Sequence, residues 1–469
     1  MPDPSHGPAW VGRAAARPRA FLRARASWAV ATVRERAWLV GITALGFAVR
    51  LAFVLGSEAT PIGDPLYYHL QANLVAKRRG FLDASAWYFQ HKAVPGADHP
   101  PLMTVWLAAW SALGLHSARW HLVASAVIGS VTIALVYATA KVVAGKGAAI
   151  AAGLLAALWP NLIYWNVGGY AESIAATCVA LFCLLGVRYL QRPSAARLAA
   201  VGGAAALAGL ARAELLLLLV GVVPLALAAD PLTRAARVRW AAAAVGTAML
   251  VVLPWAAYNQ TRFADPVPLS TGLGLVLVSS NCNQQYYGPS IGYWSFTCSI
   301  SGQVAARSSE RTDRSLRDAR MRDVAVGYAG HHPSRLPAVA AARLGRAFGV
   351  FQPFNSVSLG QSIDQISPWV GGTIAATWWL GMALAVAGAV ALRRAGQHLS
   401  PYLTPVAVLA ATAVLTYGSV RFRAPIEPAV LVLAGVAVEL ARRKVDGVRA
   451  ILAAQAAQPP PEPAVAGGE

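Results

Sequence analysis

WLVGITALGFAVRLAFVL, residues 38–55, is the first long apolar stretch of the chain. It is close to the ~20 residues that cross a bilayer as a helix. Residues 1–36 before it carry seven arginines, which predicts that this N-terminal segment stays in the cytoplasm. No signal-peptidase site follows the apolar stretch directly, so we interpret it as an uncleaved first span. The polar stretch PIGDPLYYH, residues 61–69, lies near the start of the first outer loop.

The composition extends this interpretation to the whole chain. Of 469 residues, 57% are hydrophobic and only 13% are charged, which is too apolar for a soluble protein of this length. The net charge of +20 could indicate nucleic-acid binding, but the arginines lie in short clusters at the ends of apolar runs. Such clusters orient spans in a membrane. We therefore predict an all-α polytopic membrane protein with no nucleic-acid partner.

The apolar runs predict about ten spans, with both termini in the cytoplasm. They lie at residues 38–55, 119–140, 147–165, 171–190, 197–211, 213–229, 237–257, 369–392, 400–417 and 424–441. With this count every inner loop is basic. Residues 100–115 are apolar but short and open with two prolines, and counting them would place the basic loops outside. We predict a juxtamembrane or re-entrant helix there, on the outer side.

The predicted spans divide the chain into segments. The order is a basic cytoplasmic N-terminal segment (1–36), a membrane module (37–257) that includes outer loop 56–118, an extracytoplasmic loop (258–368), C-terminal transmembrane helices (369–441) and a disordered cytoplasmic tail (442–469). The tail is rich in Ala, Gln and Pro. Within the long loop, Arg307–Arg322 alternates basic and acidic residues, as a solvated helix does.

Nearly all the unusual polar residues fall in the predicted outer segments. They are Asp64, His69, Lys92, His99, Glu172, Arg212, Glu214, Arg421 and Arg423. Charged groups at membrane depth are costly and mark functional sites. Their concentration on one face predicts that the active site lies on the extracytoplasmic side.

Each of these residues also has a purely structural interpretation. Asp64 follows a glycine and could cap a helix, and Glu172 could favour the positive end of a helix dipole. Arg212 and Glu214 could form a local ion pair between two spans. The two arginines of the last outer turn could contact lipid headgroups.

Cysteine usage agrees with this topology. Cys282 and Cys298 lie in the predicted extracytoplasmic loop, where oxidation is permitted, and we predict a disulfide between them. Cys178 and Cys183 lie in an apolar span and should be packing residues. No zinc-type ligand spacing and no nucleotide-binding motif occur in the sequence. We predict no cofactor, while a divalent metal stays open.

Several short motifs occur in a fixed order. They are Gly63-Asp64, His99-Pro100-Pro101-Leu102, Tyr170-Ala171-Glu172-Ser173, Gly209-Leu210-Ala211-Arg212-Ala213-Glu214 and Tyr417-Gly418-Ser419-Val420-Arg421-Phe422-Arg423-Ala424-Pro425. Over residues 38–441 the set resembles the GT-C superfamily, in the branch of the protein mannosyltransferases and the aminoarabinose transferase of lipid A. The last motif is similar to one in bacterial family 39 glycosyltransferases.

The resemblance implies an inverting membrane glycosyltransferase. Its donor would be a polyprenyl-phosphate sugar, and its acceptor a cell-envelope glycan, a lipid or a protein. It implies that Asp64 acts at the acceptor, that Glu172 is the second acidic residue and that Arg212 contacts the donor phosphate. Lys92, Arg421 and Arg423 are further candidates for the phosphate, and Tyr67, His69, His99 and Glu214 for substrate contacts.

The residue types suit this chemistry. A carboxylate can take the proton of a sugar hydroxyl as it attacks, and arginines can stabilise the departing phosphate. Two other classes stay open from the sequence. A lipid flippase or transporter should contain repeated broken helices, and no convincing repeat relates the two halves. A polymerase or ligase of lipid-linked glycans would be an enzyme of another fold.

Overall fold

The structure is a computed structural model that describes residues 16–229, 232–304 and 313–456. In these ranges it is 78% helical and contains no β-sheet, as the sequence predicts. The predicted segment 1–36 lies partly outside the described residues, and so does the predicted tail beyond residue 456.

The described residues of the first half of the chain form eleven α-helices. They are α1 (Ala16–Gly56), α2 (Asp64–Ala76), α3 (Ala84–Gln90), α4 (Leu102–Ala112), α5 (Ala118–Ala144), α6 (Lys146–Leu158), α7 (Pro160–Val167), α8 (Glu172–Gln191), α9 (Ala195–Ala211), α10 (Val222–Leu227) and α11 (Arg234–Gln260). A 3₁₀-helix, Ala213–Gly221, connects α9 to α10.

The described residues of the long loop that follows α11 are themselves largely helical. The remaining helices are α12 (Leu273–Ser280), α13 (Asn283–Tyr286), α14 (Phe296–Val304), α15 (Arg314–His331), α16 (Leu336–Ala347), α17 (Pro353–Asp364), α18 (Pro368–Arg394), α19 (Ser400–Leu415) and α20 (Glu427–Ala456). Two short 3₁₀-helices lie at Pro333–Arg335 and Val420–Arg423. Helix α20 continues past residue 441, where we placed the start of a disordered tail.

Five helices of the described chain are long and apolar enough to cross a membrane, and the bent pair α6 and α7 makes a sixth. The protein is therefore a multi-pass membrane protein, whereas the count of ten stays a prediction. The predicted spans 197–211, 213–229 and 400–417 correspond to apolar helices that are each shorter than 18 residues. Helix α4 forms where the short apolar run after Pro100 and Pro101 predicts a non-spanning helix.

The predicted span 147–165 is broken between α6 and α7, which meet at 49°. Pro160 cannot donate a backbone hydrogen bond, and it disfavours helical geometry at the preceding residue, so the helix stops at Leu158. The buried guanidinium of Arg50 on α1 bonds the carbonyl oxygens of Ala156 (3.3 Å) and Ala157 (3.0 Å) near the break. The break redirects the chain toward the start of α8.

Small residues allow the spans to pack closely. A side chain at Gly388 on α18 would collide with the carbonyl oxygen of Leu433 on α20. Gly435 on α20 likewise leaves room for Ala152 of α6. Such contacts are typical of helix pairs in membranes, where close backbone approach replaces hydrophobic burial. Helices α5, α6, α8 and α20 form the centre of the bundle.

The long loop folds back onto the first loop. Cys282 and Cys298 form a disulfide, as predicted from the sequence. Arg314 pairs with Asp83, and Arg317 lies 3.5 Å from Asp98. Both arginine side chains are less than 20% exposed, so the expectation of a solvated helix is wrong for the face of α15 that carries them. Residues 305–312 of that expectation lie outside the described chain.

Candidate active site

Asp64 begins helix α2 and points its carboxylate at two other parts of the chain. Gly63 precedes it with φ 60°, a conformation that only glycine adopts without strain, and Pro65 follows within the first turn. Oδ2 of Asp64 accepts a 2.5 Å hydrogen bond from Nη2 of Arg421. Oδ1 lies 3.5 Å from Nε2 of His99. The side chain of Asp64 therefore contacts charged and polar partners on other parts of the chain and does not cap α2.

Glu172 begins helix α8, and its side chain is completely buried. Its carboxylate accepts hydrogen bonds from both Arg212 and Arg421. A buried carboxylate needs such partners, because an unpaired charge in the interior is strongly unfavourable. Glu172 thus fixes the positions of two guanidinium groups that come from distant parts of the chain.

Arg212 lies where helix α9 gives way to the 3₁₀-helix. Its backbone is extended (φ −147°, ψ 122°), which ends α9 and turns the side chain toward α8. Nη1 donates to Glu172, and Nε donates to Oε1 of Glu214 at 2.6 Å. The guanidinium also lies over the ring of Phe422, 5.2 Å from its centroid.

Arg421 joins the two acidic residues. It lies in the 3₁₀-helix between α19 and α20, over the rings of Tyr170 (4.9 Å) and Trp165 (5.6 Å). Its guanidinium donates to Asp64 and to Glu172. Burial favours its neutral form, but the two carboxylates outweigh burial and hold the pKa of Arg421 well above its usual value.

These five residues form one ion-pair cluster, which comprises Asp64, Glu172, Arg212, Glu214 and Arg421. Burial alone would raise the pKa of Asp64, but Arg421 and His99 outweigh it and hold that pKa well below its usual range. Asp64 is accordingly an ionised carboxylate at neutral pH. The cluster combines an ionised carboxylate with two guanidinium groups in one place.

A cavity of about 650 Å³ opens beside the cluster. Four members of the cluster line it, while Glu172 lies behind them. The wall also includes Tyr67, whose hydroxyl accepts a 2.7 Å hydrogen bond from Gln71, and His99, whose ring lies 5.0 Å from that of Tyr67. The cavity therefore combines charged groups with aromatic faces.

Comparison with known proteins agrees with this architecture. Residues 98–258 match the family described as dolichyl-phosphate-mannose-protein mannosyltransferase. The oligosaccharyltransferase AglB of Archaeoglobus fulgidus, solved with an inhibitory peptide and a dolichol-phosphate, superposes over 91% of this chain with a TM-score of 0.54 and 15% identity. The same organism's oligosaccharyltransferase in complex with Zn and sulfate superposes over 90% with a TM-score of 0.52 and 16% identity.

The chain has the GT-C fold. It spans about half the length of these oligosaccharyltransferases, 52% and 51% respectively. ArnT from Cupriavidus metallidurans, solved with undecaprenyl phosphate, matches more loosely, with a TM-score of 0.39 and 14% identity over 88% of this chain and 78% of ArnT. No curated protein matches the sequence. The GT-C resemblance that we drew from the sequence motifs is confirmed.

Three residues singled out from the sequence lie away from the ion-pair cluster. Lys92 is exposed beyond the end of α3, and it does not line the cavity described above. Arg423 is 1% exposed and stacks over Trp378 at 4.7 Å. His69 lies on another side of α2, with its Nδ1 3.0 Å from Nδ1 of His121. These positions do not support contacts with a substrate in the cavity.

Two charged residues of the cavity wall were missed by the sequence analysis. Asp98 accepts a 3.1 Å hydrogen bond from Oγ1 of Thr271, and it lies 3.5 Å from Arg317 of α15. Asp98 directly precedes the His99-Pro100-Pro101-Leu102 motif, which was a usable signal. Arg317 gave no such signal, because only tertiary folding brings α15 over the first loop. Trp294 and Tyr417 complete this wall with aromatic rings.

The arrangement of acidic groups bears on metal binding. Among the described residues, no three His, Cys, Asp or Glu side chains are close enough together to hold a metal ion. The guanidinium of Arg421 itself lies between the carboxylates of Asp64 and Glu172. A metal site does not fit this donor set.

Proposed function

We propose that the protein is an inverting membrane glycosyltransferase that moves a sugar from a polyprenyl-phosphate donor to a hydroxyl group of an extracytoplasmic acceptor. The observation that carries this proposal is the ion-pair cluster, in which an ionised Asp64 and two guanidinium groups meet at one cavity. The GT-C fold supports the reaction class. The acceptor is a glycan, a lipid or a protein.

Asp64 is the proposed base. Its side chain is 29% exposed and lines the cavity, so an acceptor hydroxyl can approach it. The hydroxyl oxygen attacks the anomeric carbon as its proton passes to Asp64, and the bond between that carbon and the phosphate oxygen breaks. A single displacement of this kind inverts the anomeric centre. A carboxylate with a strongly lowered pKa is a weak base. In our proposal the negative donor phosphate competes for Arg421 and raises the pKa of Asp64 when it binds.

Arg212 and Arg421 are the proposed stabilisers of the leaving phosphate. A lipid phosphate leaves as a stable anion with the bonding electron pair, and guanidinium groups donate charge-assisted hydrogen bonds to its oxygens. Glu172 is enclosed behind both arginines and has no access to the cavity. We therefore assign it a positioning role in place of the catalytic role that the resemblance implies.

The ligands of similar proteins support the donor class. The matching family is described by its use of dolichyl-phosphate mannose, and AglB was solved with a dolichol-phosphate. Both ligands are polyprenyl phosphates. The basic loops that the sequence places on the inner side support an active site on the extracytoplasmic side.

Substitution of Asp64 by Asn tests the proposal in a deletion strain that carries either version of the protein. The lipid and glycan profile of the envelope identifies the product that the wild type restores. We expect Asp64→Asn to be produced at the wild-type level and to bind undecaprenyl phosphate, but to restore none of the product. Full restoration by Asp64→Asn would contradict the assigned base, and loss of lipid translocation without loss of sugar transfer would favour a flippase.

A further inference from the structure

The three arginines of the cavity wall are all paired with carboxylates. Arg212 bonds Glu172 and Glu214, Arg421 bonds Asp64 and Glu172, and Arg317 lies beside Asp98. The ion-pair cluster contains three carboxylates and two guanidinium groups, so even a protonated His99 would only balance its charge. Among the described wall residues, no arginine offers an entering anion an uncompensated positive charge.

A donor phosphate therefore meets arginines whose charge is already balanced, and it binds one of them strongly only after a carboxylate has been displaced. Charge-assisted hydrogen bonds need the donor N–H groups to be available, and a phosphate placed beside three carboxylates would be repelled. The exchange requires one carboxylate to be more easily released than the others.

Glu214 is the carboxylate with the fewest contacts. Glu172 is fully buried and bonded by two arginines, and Asp64 contacts both Arg421 and His99. Glu214 is 26% exposed, lines the cavity and bonds Arg212 alone among the residues that the structure describes. It also lies in a 3₁₀-helix of nine residues, and 3₁₀ runs of that length are uncommon because their hydrogen bonds are poorer.

We infer that the carboxylate of Glu214 occupies the place on Arg212 where the donor phosphate binds, and that it leaves when the donor enters. The inference rests on the proposed function. Glu214 bonds Nε of Arg212, while Nη1 stays fixed by Glu172. Departure of Glu214 exposes the Nε and Nη2 edge of the guanidinium, whose two parallel N–H groups match two phosphate oxygens.

This role makes Glu214 an internal competitor of the lipid phosphate. Before the donor binds, Glu214 balances the charge of Arg212 and holds its side chain in position. After transfer, its return to Arg212 helps to expel the lipid phosphate product. A residue that merely held Arg212 in place would have the opposite effect when removed, because the disordered guanidinium would bind phosphate more weakly.

Binding of undecaprenyl phosphate to the purified full-length protein in detergent tests the inference. We expect Glu214→Gln to bind this lipid about tenfold more tightly than the wild type, because a competing charged hydrogen bond is removed. Undecaprenol, which lacks the phosphate, should bind both proteins equally. Glu58→Gln is the matched control: it removes the same charge at an exposed position outside the cavity wall, and it should bind like the wild type.

The outcomes separate this inference from the proposed function. Arg212→Gln should bind undecaprenyl phosphate more weakly than the wild type, and equal affinity of those two proteins would contradict the proposed function itself. If Arg212→Gln weakens binding but Glu214→Gln binds like the wild type or more weakly, only the competitor role fails. Glu214→Ala, compared at matched thermal stability, replaces Glu214→Gln if the amide variant does not fold.

Discussion

Asp64 and Arg421 are separated by 357 positions in the sequence, yet Oδ2 of Asp64 and Nη2 of Arg421 lie 2.5 Å apart. The pair joins the first helix after α1 to the short 3₁₀-helix that precedes α20. The proposed base is therefore held by a residue near the opposite end of the described chain. Arg421 therefore acts together with His99 to set both the pKa and the position of Asp64.

Substitution of Arg421 by Gln should affect catalysis and acid stability together. We expect transfer to fall by about 10²-fold or more, because one stabilising donor of the transition state is lost. The pKa of Asp64 should rise toward its usual value, since Arg421 is the main group that lowers it. The envelope product of the complemented strain measures the first effect.

The acid effect has a defined direction. Folding lowers the pKa of Asp64, so its contribution to stability is complete above the unfolded pKa of about 4 and is lost as the pH falls toward the lower folded value. Thermal unfolding of the wild type should lose this contribution below about pH 4, whereas Arg421→Gln should lose less over the same range. Parallel curves for the two proteins would show that Arg421 does not set the pKa.

Arg423 and Lys92 should behave differently from Arg212 in donor binding. Arg423 stacks on Trp378 in the interior, and Lys92 is exposed away from the cavity. We expect Arg423→Gln to lower the melting temperature while its affinity for undecaprenyl phosphate stays within about twofold of the wild type, and Lys92→Ala to change neither quantity. Weaker lipid binding by Lys92→Ala would instead support the phosphate contact that the sequence predicts for Lys92.

The disulfide should stabilise one wall of the cavity. Cys282 and Cys298 are 16 positions apart and enclose Trp294, which lines the cavity. Substitution of both cysteines by Ser should cost about 3 kcal/mol of stability in the chain-entropy estimate for a loop of this size. Thermal unfolding with and without a reductant measures the loss. A wild type that is insensitive to reductant would argue against the bond.

The sidedness can be tested with introduced thiols. Glu58→Cys lies in the predicted outer loop and Ala395→Cys in a predicted inner loop, and both positions are exposed. A membrane-impermeant maleimide added to intact cells should label Glu58→Cys, and it should label Ala395→Cys only after permeabilisation. The native Cys178 and Cys183 are buried and should stay unlabelled. The reverse pattern would remove the proposed active site from the extracytoplasmic side.

Much of the candidate site could be predicted because polar residues in an apolar sequence are conspicuous. Asp64, Glu172 and Arg212 each adjoin a long apolar run, and the structure brings all three together. The sequence could not show which of Arg421 and Arg423 faces the cavity. The two lie in the same 3₁₀-helix, and their directions depend on packing against Tyr170 and Trp378.

Features that depend on tertiary contacts escaped the sequence analysis. The charged pattern around Arg317 is typical of a solvated helix, but the docking of α15 on the first loop places that side chain in the cavity wall. Helix α20 extends beyond its apolar part, where Glu439 forms ion pairs with Arg442 and Arg443. Hydropathy detects neither effect.

The role of Arg50 has a consequence for how the protein is made. The carbonyl oxygens of Ala156 and Ala157 next to the broken span gain a partner only when α1 lies beside them, and an unsatisfied carbonyl in hydrocarbon is strongly unfavourable. Ribosomal synthesis delivers α1 to the bilayer before α6 and α7 leave the ribosome. The order of translation therefore makes the guanidinium of Arg50 available before these two carbonyl groups reach the bilayer.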